Sequence, residues 1–372
     1  MDLSLDETQQ QIQDSTRDFV RGACSRDTLV KLDKDPAGIS SSLWPQIAEM
    51  GWMGMALPEE YGGTGNSLTD LAVLFEELGM GPVPGPHFSS GVLCARLLLD
   101  AATDAQKKKL LPQIASGERV FALAAAEGHY GWGAEYVRMK ATKDGSGYRL
   151  SGSKAFVHDA MYATDLLVLV RTDDGVSLVR VDARAAGVTI RTLQGFVQSL
   201  AEVTFDKVTV SPDDVIGKAG AAWDALHRTM LQTAPVLCAY KVGGCKSVFE
   251  MSLQYTKDRL QFGQPIGKFQ RVQDHVIHIV NFMDSARWTT YEALYKLDSG
   301  QDAASSVHMA KSVASEGYMR ATDFGHEVHA GIGVSREYGL TLHTKMSRSL
   351  YGCLGAPKDH RRMLEKVLGL VA

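Results

Sequence analysis

From Thr8 to Val20 apolar and polar positions alternate with the 3.6-residue period of an amphipathic helix. Leu43, Trp44, Ile47, Ala48 and Met50 repeat that period before Gly51, a residue that commonly ends helices. A helix is also predicted over Thr69–Leu78. From Phe121 the pattern becomes short segments with turns between them. Val137–Thr142 and Tyr148–Ser151 flank Asp144-Gly145-Ser146-Gly147, the chemistry of a β-hairpin. Leu166–Val170 is the apolar run of a buried strand, and Val176–Val181, Val188–Leu193 and Glu202–Val208 complete a small all-β unit. After Gly217 helical spacing returns in stretches of bundle length, with Val276, Ile279, Val280 and Met283 on one face. The pattern therefore predicts an α+β chain in the order α, β, α. Its parts are an N-terminal helical domain (1–118), a small middle β barrel or sandwich (119–216) and a C-terminal four-helix bundle (217–372).

At 372 residues the chain exceeds what a single growing core accommodates, so several packed domains are expected. Net charge is -4 with scattered Lys and Arg, which leaves no electrostatic footprint for nucleic acid or an anionic membrane. Met1–Asp6 lacks the basic and apolar regions of a signal peptide, and no apolar run reaches the length of a membrane span, so a cytoplasmic location is expected. Five cysteines without a C-x-x-C pair point to buried free thiols rather than to zinc or a redox disulfide.

The richest segment is Arg259-Leu260-Gln261-Phe262-Gly263-Gln264-Pro265-Ile266-Gly267, followed by Lys268-Phe269-Gln270-Arg271. A diphosphate needs a forked cation and backbone donors in a close turn, which Arg259 and the Gly263 and Gly267 turns can supply. The segment resembles the R-x-x-F-G…F-Q loop of the acyl-CoA dehydrogenase family, flavoproteins that desaturate acyl thioesters. In that family the loop crosses a subunit interface to hold the dinucleotide half of a neighbour's FAD. The resemblance implies that Arg259 holds the pyrophosphate and that Gln261, Phe262, Phe269 and Gln270 line the dinucleotide. A second segment, Glu327-Val328-His329-Ala330-Gly331-Ile332-Gly333, resembles the Q-x-x-G-G-x-G turn on the same dinucleotide, with Glu327 for Gln and Ala330 for the first Gly. Glu327 and Gly331 join the implied contacts, although a carboxylate beside a pyrophosphate needs a cation to offset it. Gly51–Gly65, Glu76–Gly79, Lys107–Gly117 and Thr204–Gly217 also look family-like, so the likeness spans essentially the whole chain.

The chain's own flavin-ring positions differ. Where the family carries T-E-P-x-x-G-S-D, this chain has Ala126-Glu127-Gly128-His129-Tyr130-Gly131-Trp132-Gly133, so both hydroxyl positions, Ala126 and Trp132, lack oxygen. The run Leu150–Ala160 resembles L-x-G-x-K-x-W-I-T-N-A, with Phe156 for the stacking Trp and His158 for the small hydroxyl near the reacting flavin nitrogen. His158 either brings new acid–base chemistry or fills vacated space.

Desaturation needs a carboxylate with a burial-raised pKa opposite the ring. At the family's usual Glu position stands Leu354, and at the alternative position of some relatives stand Thr233-Ala234; neither can take a proton. Asp359 and His360 lie a turn or more beyond and are expected to form a solvated helix start. The C-terminal run Gly355–Arg362 resembles that of base-lacking subunits in heteromeric enzymes acting on steroid, aromatic or other bulky acyl-CoAs. The resemblance implies a half-site subunit of a heterotetramer, catalytically silent alone, that shares FAD with a second family subunit, with acyl-CoA as substrate and electron-transfer flavoprotein as acceptor. Two alternatives stay open: a homo-oligomeric dehydrogenase with a relocated acid/base, or a flavin-free scaffold or lyase-like relative.

Overall fold

The computed structural model describes residues 4–35, 39, 43–128, 131–197 and 200–371. Helices α1 (Glu7–Ala23), α2 (Arg26–Lys34), α3 (Leu43–Glu49), α4 (Leu68–Met80), α5 (Ala95–Ala101) and α6 (Asp104–Ala115) come first. Eight strands follow: β1 (Phe121–Ala124), β2 (Ala141–Asp144), β3 (Gly147–Val157), β4 (Asp165–Thr172), β5 (Gly175–Asp182), β6 (Val188–Thr192), β7 (Ala201–Val210) and β8 (Val215–Ile216). Then come α7 (Ala222–Asp258), a hairpin of β9 (Leu260–Gln261) and β10 (Gln264–Pro265), α8 (Gln270–Asp298), α9 (Ala304–His329), α10 (Leu340–Tyr351) and α11 (Pro357–Val367). The α, β, α order read from the pattern is the observed one. The expected strand at Val137–Thr142 is displaced, because Ala134–Tyr136 forms a 3-10 turn and pairing with β3 begins only at Ala141.

By contacts the chain divides into two compact units. One comprises Asp35–Ser67 and Pro84–Thr233. Its β strands form two four-stranded sheets, ordered β1-β4-β5-β8 and β2-β3-β7-β6. Leu166, Val168 and Val170 of β4 meet Leu150, Val203 and Phe205 of the other sheet in one core. The alternate residues Leu167 and Leu169 join Leu97, Leu98, Leu110 and Ile114 in a second core. Burial of both faces explains why Leu166–Val170 lacks the alternation of a half-exposed strand.

The other unit comprises Met1–Lys34, Leu68–Val83 and Ala234–Ala372. A Cβ on Gly79 would lie 1.9 Å from Tyr240 O, and one on Gly243 1.8 Å from Glu76 O, so only glycines allow α4 and α7 to cross this closely. The Glu76-Glu77 motif ties α4 to α8 and α1. Tyr291 Oη donates to Glu76 at 2.6 Å, and the Arg17 guanidinium lies 2.8 Å from Glu77.

Candidate functional site

Helix α7 ends at Asp258, and β9 and β10 form a two-residue hairpin whose tip is Phe262 (φ 51°) and Gly263 (φ 78°). A left-handed backbone suits Gly263 but disfavours a side chain such as that of Phe262. That ring is 91% exposed, and its one aromatic neighbour among the described residues is Phe269, edge-on at 6.0 Å. Ile266 N donates to Arg259 O at 2.9 Å, and the Gln273 side chain donates to Gly267 O at 2.8 Å, so the loop is braced while its tip stands free. Arg259, Gln261 and Gln270 are exposed, and among the described residues the Arg259 guanidinium meets no carboxylate. A strained, exposed aromatic beside an uncompensated cation is the feature of a surface that another molecule completes.

Sixty-eight to seventy-two residues beyond Arg259 in sequence, the Glu327–Gly331 segment comes back beside the last turn of α7. His329, at the end of α9, stacks on Tyr255 of α7 with ring centroids 4.7 Å apart and lies 5.0 Å from Tyr338. Its Nδ1 donates to Gly325 O at 2.7 Å. The structure thus sets the second segment, which the sequence resemblance pairs with the Arg259 loop, beside the helix end from which that loop leaves. Glu327 and Gly331 are exposed. Ala330, standing where the family pattern has Gly, adopts φ 49° and ψ -132°, a conformation that carries about 1–3 kcal/mol of strain for a residue with a Cβ. Ala330→Gly is therefore expected to raise stability by about 1 kcal/mol after the unfolded-state entropy of glycine is deducted. The shift of the urea unfolding midpoint checks this, and a drop in stability would contradict the strain.

The chain's own ring-side segment lies in the β-containing unit. Phe156 is 43% exposed, adopts φ 54° and meets Phe196 edge-on at 6.4 Å; His158 is half-buried. Asp159 is buried and accepts from Ser89 Oγ at 2.6 Å. His129 and Tyr130 lie outside the described residues. Trp132 packs on the second core and on Trp223, with centroids 5.7 Å apart.

The two retained motif residues serve each other. Fully buried Lys154 lies 2.8 Å from Glu127 Oε1, which also accepts from Arg138 N at 2.8 Å and Met139 N at 2.9 Å. Burial alone would raise the Glu127 carboxyl, but the Lys154 ammonium and the two amides outweigh it and hold it below the usual range. Ala155 N completes the join by donating to Ala126 O at 2.9 Å. The scaffold of a ring-side loop is intact, while Ala126 and Trp132 supply it no hydroxyl.

Leu354 is buried and adopts φ 59°. Thr233 and Ala234 are fully buried inside α7. Asp359 and His360 correct the expectation of a solvated helix start, since both are buried. Asp359 accepts from Ala356 N at 3.0 Å and caps α11, which satisfies an otherwise orphan donor. His360 Nε2 donates to Leu354 O at 2.8 Å, and burial pushes its pKa down to about 2. It is a neutral structural ring, unable to serve as a proton acceptor near neutrality. The sequence reading missed the fully buried lysines, Lys241 and Lys311. Their signal was a charge set among apolar positions, as in Val236-Leu237-Cys238-Ala239-Tyr240-Lys241-Val242.

Among the described residues no cluster of three or more His, Cys, Asp or Glu is arranged to hold a metal, no helix is long and apolar enough to cross a membrane, and all five cysteines are buried and in no disulfide.

Family models match along the chain: acyl-CoA dehydrogenase N-terminal domain over residues 6–118, middle domain over 122–208 and C-terminal domain over 220–368. The chain belongs to the acyl-CoA dehydrogenase family, whose chemistry is FAD-dependent dehydrogenation. The mitochondrial isovaleryl-CoA dehydrogenase of Solanum tuberosum is 29% identical, covering 97% of this chain and 90% of that protein. A solved structure of a Tcur3481-Tcur3483 steroid ACAD variant shares 28% identity, covers 98% of each chain and superposes with a TM-score of 0.86. PigA with FAD and proline shares 26% identity over the full length of both chains, with a TM-score of 0.86.

Proposed function

We propose that this chain is the half-site subunit of a heteromeric, FAD-dependent acyl-CoA dehydrogenase that acts on the α,β-bond of an acyl thioester. For this reading the chain is divided at 1–118, 119–216 and 217–372. The observation that carries it is an asymmetry between two sets of residues. At the hairpin, exposed Arg259, Gln261, Phe262 and Gln270 and half-buried Phe269 fit the dinucleotide end of a flavin, joined by Gly331 and, with Arg259 offsetting its charge, Glu327. In the chain's own ring-side segment Phe156 and His158 stand where the family pattern has Trp and a small hydroxyl, Ala126 and Trp132 supply no hydroxyl, and Leu354 stands at the base position. Bound FAD would supply the hydride acceptor of the reaction. This chain's residues would grip and orient its dinucleotide, and the unlike partner would bring the ring-side hydroxyls and the carboxylate. Electron-transfer flavoprotein is the proposed electron acceptor. The steroid acyl group of the Tcur3481-Tcur3483 relative makes bulky acyl thioesters the first substrates to try.

The chain purified alone is expected to show little flavin absorbance and no dehydrogenation, and co-expression with an unlike family subunit is expected to give a yellow, active complex. Arg259→Ala in that complex should release flavin while the subunits stay together in gel filtration. Full FAD occupancy with turnover in the isolated chain would overturn the reading.

A further inference from the structure

Along α8, Ile279, Ala286, Thr290, Ala293 and Leu294 are buried on the side packed against α9 and α4. The opposite side carries Ile277, Trp288 and Tyr295, exposed by 52%, 56% and 47%. With exposed Asn281 and Asp284 they recur at steps of 4, 3, 4 and 7 residues, which makes one straight row down the helix. Alternate steps of three and four are the spacing of a seam between two helices. A single exposed Trp is ordinary, but an Ile, a Trp and a Tyr in register are the chemistry of an interface.

The row is symmetric about position 286. Ile277 and Tyr295 lie nine residues to either side of it, and Asp284 and Trp288 lie two. Laid antiparallel on itself about that point, the helix sets Ile277 against Tyr295 of a second copy and Asp284 against Trp288 of that copy. Exposed Arg287, next to Trp288, then comes beside Asp284 of the other copy. Among the described residues neither Asp284 nor Arg287 forms an ion pair within its own chain, and the Arg287 guanidinium lies over the Tyr291 ring, 5.9 Å from its centroid. A parallel pair would instead bring Asp284 against Asp284, and like charges in contact repel. A face that complements itself under a two-fold is what an isologous dimer requires, whereas contact with an unlike subunit asks for no such symmetry.

We infer that the face of α8 marked by Ile277, Trp288 and Tyr295 binds a second copy of this chain, antiparallel about Ala286. Position 286 lies sixteen residues past Gln270, about 24 Å along the helix, so each Arg259 hairpin projects beyond the end of the other copy's α8. One such pair holds a dinucleotide grip at either end and takes two unlike subunits. That 2:2 count rests on the half-site reading, whereas the self-pairing is tested on this chain alone.

In sedimentation velocity the full chain at micromolar concentration is expected to run as a dimer, and Trp288→Glu is expected to weaken dimerisation at least about thirtyfold. Asp284→Arg is expected to weaken it about tenfold, and Asp284→Arg combined with Arg287→Asp to regain most of that loss. Cysteine cross-linking reads the register, since all five native cysteines are buried. Chains carrying Ile277→Cys and chains carrying Tyr295→Cys, mixed under oxidised glutathione, are expected to form a disulfide between the two kinds and little within either. A monomeric chain overturns the inference, as does a dimer indifferent to Trp288→Glu, or cross-linking as strong within each kind as between them. A chain monomeric alone whose Trp288→Glu variant loses the unlike subunit would assign the face to that subunit and overturn it too. Flavin content enters none of these readings, so failure here and failure of the half-site reading are distinguishable.

Discussion

Lys154→Met is expected to lower stability by about 3–5 kcal/mol, the usual cost of leaving a buried charge without its partner. Glu127 accepts three hydrogen bonds through one oxygen, and Lys154 supplies the only ammonium among them. Without that cation the carboxylate must remain charged in a poorly solvated place or take up a proton. Either course costs free energy, and Glu127 loses its side-chain tie to β3, leaving the Ala155 N to Ala126 O bond. Glu127→Gln in the same background keeps an oxygen for the Arg138 and Met139 amides and removes the stranded charge. The double variant is therefore expected to regain more than half of the loss. Urea unfolding followed by tryptophan fluorescence measures both. A cost below about 1 kcal/mol for Lys154→Met, or a double variant no better than the single, would show that solvent reaches the pair.

The second large effect is acid sensitivity. Burial holds three histidines neutral, with pKa values pushed down to about 4 for His87, about 3 for His343 and about 2 for His360. His343 sits against Tyr318 Oη at 2.9 Å, and His360 bonds Leu354 O. In the unfolded chain each ring takes a proton near pH 6.5. Below that value the unfolded state binds protons that the folded state refuses. The stabilisation is complete above about pH 6.5 and is lost as pH falls toward the folded-state values. Three such groups give a limiting slope of about 4 kcal/mol per pH unit between about pH 6 and pH 4. Against a net stability of about 5–15 kcal/mol, this places acid unfolding above about pH 4. The urea midpoint measured from pH 7.5 to 4.5 checks the slope, and a midpoint independent of pH over that range would contradict the buried-neutral assignment.

Phe262 and His360 show how far the sequence reading reached. The motif around Arg259 singled out Phe262, and the structure adds its setting: an aromatic ring on a left-handed hairpin tip, 91% exposed, with little of its own chain to cover it. His360 was misread, because a run of Asp, His and two Arg has the composition of a solvated helix start. His308 and Leu354 O, which bury and bond its ring, come from α9 and from the turn before α11. No local pattern announces a partner 52 residues away.

The amino-acid order alone determined the α, β, α succession, the family and the absence of a proton acceptor at position 354. Periodicity and side-chain chemistry are local properties and need no neighbours. Tertiary structure alone decided that Glu127 belongs to Lys154, that His329 stacks on Tyr255 near the end of α7, and that Lys241 and Lys311 are buried with no carboxylate bond among the described residues. Burial and pairing are made by segments distant in sequence, and the free energy of a charge depends on what surrounds it after folding.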